Sequence, residues 1–117
     1  MKKILVVEDN ENNMYLITYI LENQGYSVIK ALNGAEGVEK ALNTSPDLIL
    51  MDIQLPDFDG FEVTKRIRKS NNSIPIIALT SYAMVGDKEK ALKSGFTGYV
   101  EKPINIDTIM DEIEKFF

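Results

Sequence analysis

Five short, uninterrupted apolar runs constrain the fold of this chain more than any other feature. They occupy residues 4–7, 28–29, 48–51, 76–79 and 99–100. Runs that do not alternate with polar residues are typical of strands buried on both faces, and each run is followed by a helical pattern. Strands that alternate with helices are joined by right-handed crossovers into a parallel sheet. The sequence therefore predicts a three-layer α/β domain.

Capping residues mark where several of the intervening helices begin. Asn33 is followed three residues later by Glu36, and Asp59 by Glu62, which is the spacing of a capping box. Asn105 is placed to cap the last helix. Apolar residues at helical spacing support the first and last helices: Met14, Ile17, Ile20 and Leu21 before Gly25, then Ile106, Ile109, Met110, Ile113, Phe116 and Phe117. We expect the last helix to cover one face of the sheet.

The segment over residues 82–95 is the weakest helix prediction. Its main apolar residues are Val85, Ala91 and Leu92, and lysines at positions 88, 90 and 93 crowd it. A helix with so few apolar contacts is expected to be weakly anchored.

Composition excludes several classes of chemistry. The chain has neither cysteine nor histidine, so it has no disulfide, no thiolate or imidazole zinc site and no histidine general base. Its formal charge of −5 argues against broad contact with a phosphate backbone. The one basic cluster falls where a helix would end, and interaction with the helix dipole accounts for it. The cluster consists of Lys65, Arg66, Arg68 and Lys69.

Length and hydropathy set the organisation of the chain. With 117 residues, of which 44% are hydrophobic, residues 1–117 are predicted to form a single domain. No apolar run approaches the roughly 18 residues that a membrane span needs, and the start of the chain does not resemble a secretory signal. We therefore expect a cytoplasmic protein that contacts neither a membrane nor nucleic acid directly.

Acidic, hydroxyl and basic side chains follow four of the five strands at the point where each strand ends. Glu8 and Asp9 follow the first run and Asp52 the third, whereas Thr80 follows the fourth and Lys102 the fifth. The carboxyl ends of parallel strands meet at the edge where α/β sheets bind ligands. Each residue alone has an ordinary explanation, such as a helix cap or a surface ion pair. The whole set indicates a functional site.

The charges at this edge predict a magnesium site. Three carboxylates brought together repel one another, so a cation is needed to compensate them. Mg²⁺ prefers oxygen ligands and is commonly held by one or two carboxylates and a phosphate. Asp9 and Asp52 are therefore predicted to bind it directly, and Glu8 through a water molecule. Lys102 supplies a positive charge, and Thr80 a hydroxyl donor, for the oxygens of a transferring phosphoryl group.

These residues give the chain a strong resemblance to the receiver domain of two-component response regulators, including the single-domain regulators. The resemblance runs over residues 3–117. Its motifs are Glu8-Asp9, Asp52 in MDIQLPDFDG, Thr80 in ALTS and Lys102-Pro103. It implies a flavodoxin-like (βα)5 domain whose parallel sheet has the strand order 2-1-3-4-5. It also implies a cis bond between Lys102 and Pro103.

The resemblance further implies a switch that is set by phosphorylation. Asp52 would take a phosphoryl group from a phosphohistidine on a sensor histidine kinase or a histidine phosphotransfer protein. Mg²⁺, for which Mn²⁺ can substitute, would be bound by Asp9, Asp52 and the backbone carbonyl of Gln54. Thr80 and Tyr99 would then shift and change the surface that meets a downstream protein.

The same resemblance implies a signalling protein and not an enzyme that acts on other molecules. The chain would catalyse its own phosphorylation and the slow loss of the phosphoryl group. The side chains at Gln54 and Tyr82 would flank the attacking water, and their bulk implies slow hydrolysis. We expect a monomer or a weak dimer.

Two other functions fit parts of the sequence. A hydrolase of the haloacid-dehalogenase type also places a nucleophilic aspartate after an apolar strand. Such an enzyme needs a second acid two residues later, where this chain has Gln54. A receiver-like interaction module that takes no phosphate would be expected to lack Asp52, Thr80 or Lys102, and all three are present.

Overall fold

All five predicted strands form a single parallel sheet in this computed structural model, which describes residues 1–81, 89–90 and 92–117. The strands are β1 (Lys3–Val7), β2 (Ser27–Ala31), β3 (Leu48–Asp52), β4 (Ile76–Thr80) and β5 (Gly98–Glu101). Their order is β2-β1-β3-β4-β5, and every neighbouring pair is parallel. The predicted order is confirmed, and it reverses between β1 and β3, which is where such sheets bind ligands.

Four named helices follow the strands within the described residues. They are α1 (Glu11–Asn23), α2 (Gly34–Thr44), α3 (Gly60–Arg68) and α4 (Ile106–Glu114). Between β4 and β5, residues 89–90 and 92–93 are also helical, in agreement with the helix expected over residues 82–95. The remainder of that segment, residues 82–88 and 91, lies outside the described residues, and so does Tyr82. In the part of the chain that is described, every helix is too short or too polar to cross a membrane.

The predicted helix caps are confirmed. In each case the side chain accepts backbone N–H groups of the first turn: Asn33 from Glu36, Asp59 from Glu62, and Asn105 from Asp107 and Thr108. Helix α1 is capped by Asn10, whose Oδ1 accepts from Asn13 N at 2.9 Å. Because Asn10 makes this bond, the preceding Asp9 is not the cap of α1.

The sheet separates two apolar cores, as expected for a three-layer domain. Leu48 and Leu50 of β3 face the core that α1 and α4 cover, whereas Ile49 and Met51 face the core that α2 and α3 cover. The apolar residues of β1, β3 and β4 are completely buried. The packed cores therefore fix the positions at which these strands emerge, and with them the polar residues at the strand ends.

Two parts of the core differ from expectation. Strand β2 lies at the edge of the sheet, and Val28 and Ile29 are half-buried instead of being buried on both faces. In the last helix, Ile106 is 46% exposed because it starts the helix, away from the stripe that faces the sheet. Phe117 is 41% exposed beyond the end of α4, and its ring packs against Tyr26 with a centroid distance of 5.6 Å.

Candidate functional site

The carboxyl ends of four strands bring the predicted site residues to one edge of the sheet. Asp52 and Thr80 are the last residues of β3 and β4, Glu8 and Asp9 directly follow β1, and Lys102 directly follows β5. Glu8, Asp52 and Thr80 are buried, whereas Asp9 is exposed. The backbone N–H of Lys102 donates to the carbonyl of Thr80 at 2.7 Å, so the ends of β4 and β5 are held together.

Lys102 joins two of the carboxylates. Its Nζ lies 3.1 Å from Glu8 Oε1 and 3.2 Å from Asp52 Oδ2, and its side chain is only 15% exposed. Shielding from water makes these attractions stronger than those of a surface ion pair. Burial lowers the pKa of the Lys102 amine, but attraction to Asp52 and Glu8 outweighs it and holds the pKa above its ordinary value. Lys102 is therefore a fixed positive charge at this edge.

Glu8 carries a charge that the neighbouring side chains only partly compensate. The residue is completely buried, and its Oε2 accepts no hydrogen bond from the described part of the protein. Burial is the main cause that raises the pKa of Glu8 to about 7, the neighbouring Asp52 carboxylate adds to this rise, and Lys102 opposes it. A buried oxygen without a donor is unfavourable unless a cation or a ligand satisfies it. The site therefore favours a further positive charge.

Three carboxylates lie close enough to share one metal ion. One oxygen each of Glu8, Asp9 and Asp52 lies within 4.8 Å of the other two. Mg²⁺ holds its oxygens at about 2.1 Å in an octahedron, so that ligands on opposite sides are about 4.2 Å apart. Oxygens this close together can share one such ion, some of them binding it directly and others through a water molecule that the ion retains. The acidic residues predicted from the sequence are thus brought together in an arrangement that fits Mg²⁺.

The loop between β3 and α3 folds closely around the end of β3. The backbone N–H of Gln54 donates to Asp52 Oδ1 at 3.1 Å, and that of Gly60 donates to the Ile53 carbonyl at 2.7 Å. A Cβ at Gly60 would lie 2.5 Å from the Asp52 carbonyl oxygen, so this close approach requires glycine. The backbone of Gln54 lies directly beside the Asp52 carboxylate. Metal binding by the Gln54 carbonyl stays a prediction.

Asp57, in the same loop, makes contacts that were not expected from the sequence. Its carboxylate accepts backbone N–H groups from Gly34 at 2.7 Å, from Ala35 at 3.0 Å and from Phe58 at 2.8 Å. Gly34 and Ala35 begin α2 and lie 23 and 22 residues before Asp57. The signal in the sequence is indirect: the first N–H groups of a helix have no partner within the helix, so a side chain or water accepts them.

Thr80 and Tyr99 lie on neighbouring strands and face the same side of the sheet. Thr80 pairs with Glu101, two residues beyond Tyr99, and paired residues point to the same face. Tyr99 is half-buried at a cavity of about 350 Å³. The other residues that line this cavity are Glu101, Lys102, Pro103 and Thr108. The Lys102-Pro103 bond is cis, as the resemblance implies.

Known proteins resemble this chain along almost its whole length. A profile of the response regulator receiver domain family matches residues 4–114. The polar-differentiation response regulator DivK of Brucella anthropi is 42% identical over 117 residues, which cover 98% of this chain and 95% of that protein. DivK of Brucella ovis is 41% identical, with the same coverage of both chains.

Solved structures share the fold. The chemotaxis protein CheY4 of Vibrio cholerae matches with a TM-score of 0.95 at 29% identity, over 100% of this chain and 99% of that chain. The receiver domain of the sensor histidine kinase PA1611 of Pseudomonas aeruginosa matches with a TM-score of 0.91 at 36% identity, over 98% and 96% of the two chains. That structure has a magnesium ion coordinated in its active site cleft. The profile match and the relatives together show that this chain belongs to the response regulator receiver domain family, the switches of two-component signalling.

Proposed function

We propose that this receiver domain accepts a phosphoryl group on Asp52 and thereby switches its protein-binding surface. The observation that best supports this proposal is the position of Lys102 between Glu8 and Asp52, at 3.1 and 3.2 Å, beside the exposed Asp9. A carboxylate beside a fixed cation can act as a nucleophile toward phosphorus, because the cation offsets the charge of the incoming oxygens. Membership of the receiver family supports the same chemistry.

In the proposed transfer, a carboxylate oxygen of Asp52 attacks the phosphorus of a phosphohistidine. A P–O bond to Asp52 forms while the P–N bond breaks, and the histidine nitrogen leaves with the bonding electrons and takes up a proton. This chain contains no histidine, so a sensor histidine kinase or a histidine phosphotransfer protein must supply the donor. Asp52 is only 3% exposed, so the partner has to bring the phosphoryl group into the cleft.

The acidic residues would hold the metal that this transfer needs. Asp9, Asp52 and the backbone carbonyl of Gln54 would bind Mg²⁺ directly, and Glu8 would contact it through water. The oxygen atoms of these groups suit Mg²⁺, and Mn²⁺ would substitute for it. When bound, the ion would offset negative charge on the phosphoryl oxygens.

The phosphoryl group would act on the surface through Thr80, Lys102 and Tyr99. It adds roughly −1.5 to −2 charges at neutral pH, which attract the Lys102 ammonium and the Thr80 hydroxyl. Tyr99 faces the same side of the sheet as Thr80 and would move inward as Thr80 shifts. These movements would bias a two-state equilibrium of the surface that includes β5 and α4, where a downstream protein would bind.

Hydrolysis would reset the switch. Water would attack the phosphorus, the P–O bond to Asp52 would break, and inorganic phosphate would leave. Gln54 is exposed beside Asp52, and its side chain, together with that of Tyr82, would hinder the approach of water and slow this step.

We further propose that residues 1–117 act as one cytoplasmic receiver domain, as a monomer or a weak dimer.

Intact mass measurement tests the phosphoacceptor. After incubation with acetyl phosphate and Mg²⁺, the parent protein should gain the mass of one phosphoryl group, and Asp52→Asn should gain none. Asp59→Asn is a matched control from the same loop, because asparagine can still cap α3, and it should gain the phosphoryl group normally. No gain in the parent would contradict the proposal and would favour a receiver-like interaction module that takes no phosphate. The family assignment does not support a haloacid-dehalogenase-type hydrolase.

A further inference from the structure

The β3–α3 loop, residues 53–59, follows Asp52 and carries Gln54. Its two ends are joined by the hydrogen bond from Gly60 N to the Ile53 carbonyl at 2.7 Å. The residues between them form neither helix nor strand. The position of this part of the loop therefore depends on contacts with neighbouring elements.

Asp57 makes one of these contacts at the N-terminus of α2. Its carboxylate accepts from Gly34 N, Ala35 N and Phe58 N at 2.7, 3.0 and 2.8 Å. A carboxylate at a helix N-terminus is stabilised by the unpaired N–H groups and by the helix dipole. Desolvation raises the pKa of the Asp57 carboxyl, but the backbone N–H groups outweigh it and hold the pKa below its ordinary value.

The loop also approaches the start of α2 too closely for a side chain at Gly34. A Cβ at Gly34 would lie 2.8 Å from Val63 Cγ2, 3.0 Å from Asp57 Oδ1 and 3.0 Å from Phe58 Cδ2. The guanidinium of Arg66, in α3, lies over the Phe58 ring at 4.0 Å from the ring centroid. Phe58 therefore packs between the first turn of α2 and α3, while Pro56 and Asp57 at the tip of the loop stay exposed.

We propose that Asp57 is a positioning residue: by docking the β3–α3 loop on α2, it holds the Gln54 carbonyl where the metal site needs it. This inference rests on the proposed function, in which Gln54 binds Mg²⁺. Only Leu55 and Pro56 separate Gln54 from Asp57. Proline has a fixed φ and restricts the residue before it. A displacement of Asp57 is therefore transmitted to the Gln54 peptide instead of being absorbed between them.

The coupling between metal binding and the contact of Asp57 with α2 has to be reciprocal. If the Asp57 contact favours metal binding, then metal binding must favour the Asp57 contact by the same factor. Mg²⁺ should therefore strengthen the hydrogen bonds from Gly34 N and Ala35 N. A carboxylate that only stabilised α2 would show no such dependence.

Calorimetric titration with Mg²⁺ tests the inference on folded protein. Asp57→Ala should raise the Kd for Mg²⁺ about tenfold, the lower end of the loss seen when groups that orient metal ligands are removed. Asp57→Asn keeps one acceptor oxygen and should raise the Kd less. A purely electrostatic effect would weaken binding equally in both variants. Asp47→Ala is the matched control, because Asp47 accepts Lys3 N at 2.8 Å at the opposite end of β3, and its Kd should match that of the parent.

Amide hydrogen exchange of the parent protein gives a second readout that needs no variant. Saturating Mg²⁺ should slow the exchange of the Gly34 and Ala35 amides and leave the Lys3 amide, which Asp47 holds, unchanged. This measurement and Asp57→Asn decide the question if Asp57→Ala fails to fold. Equal Kd values in the parent and the Asp57 variants would overturn the role of Asp57 but leave the metal site standing. Exchange rates of the Gly34 and Ala35 amides that do not change with Mg²⁺ would have the same meaning. A parent that binds no Mg²⁺ would overturn the metal site and this inference together.

Discussion

Replacing Glu8 with glutamine tests the charge balance of the site through the stability of the metal-free protein. Glu8 is completely buried, and only one of its oxygens is paired with Lys102, at 3.1 Å. Glutamine has nearly the same shape but stays uncharged at every pH. Comparison of Glu8→Gln with the parent therefore isolates the unfavourable energy of ionising this one carboxyl group.

The magnitude follows from the shift in pKa. The pKa of Glu8 rises from 4.5 to about 7 in the folded protein. Between these values the unfolded chain has released the proton whereas the folded chain still binds it, so the free energy of unfolding falls as the pH rises. The slope approaches about 1.4 kcal/mol per pH unit, which amounts to about 3 kcal/mol over the whole interval. Outside the interval both states carry the same charge, and Glu8 adds no slope.

Urea unfolding in EDTA, at pH values from about 5 to 8, measures this difference. Across that range the free energy of unfolding of the parent should fall by about 3 kcal/mol relative to that of Glu8→Gln. Glu39→Gln removes an exposed carboxylate from the middle of α2 and should follow the parent. Added Mg²⁺ should make the free energies of unfolding of the parent and Glu8→Gln differ less in their dependence on pH, because the cation offsets the Glu8 charge.

Identical pH slopes for the parent and Glu8→Gln would refute this reasoning. They would mean that Glu8 ionises in the folded protein as readily as in the unfolded chain. The buried Oε2 atom would then have a partner in solution, and the argument that the site favours an added cation would fail with it.

Three further changes have definite outcomes. Gly60→Ala places a Cβ 2.5 Å from a backbone carbonyl oxygen, so it should lower the free energy of unfolding in urea by about 1–3 kcal/mol. In Gly37→Ala the Cβ meets side-chain methyl groups at 3.1 Å, so this control should lower the free energy of unfolding by less. Lys102→Met should slow phosphorylation by acetyl phosphate on the order of 10²-fold, while calorimetry should still detect Mg²⁺ binding. Loss of Mg²⁺ binding would contradict the role of Lys102 in offsetting charge on the phosphoryl oxygens. Tyr99→Ala should leave the phosphorylation rate unchanged but diminish the phosphorylation-induced NMR shift changes at Thr108, and undiminished changes would speak against the switch.

The position of the site was predictable because it depends on strands that are buried throughout. The run that ends in Asp52 has no exposed face, so β3 has one register and its last residue emerges at one place. The same holds for β1 and β4, and this is why Glu8 and Thr80 reach the same edge. The order of the strands did not follow from periodicity, and the family resemblance supplied it.

Contacts between distant segments were not predictable from local patterns. The contact of Asp57 with α2 has no local signal in the sequence, because its partners Gly34 and Ala35 lie 23 and 22 residues away. The exposure of β2 depends on its place at the edge of the sheet, which its own apolar residues do not reveal. Ile106 continues the helical spacing of α4, yet it starts the helix and lies outside the buried stripe.

The most direct test of the central claim locates the phosphoryl group on the chain. After reaction with acetyl phosphate and Mg²⁺, borohydride reduces an aspartyl phosphate to an alcohol, and peptide mass spectrometry identifies the altered residue. We expect the alteration at Asp52 alone, and its loss when EDTA replaces Mg²⁺. An alteration at Asp9, Asp57 or Asp59, or none at any residue, would contradict the assignment of Asp52 as the phosphoacceptor.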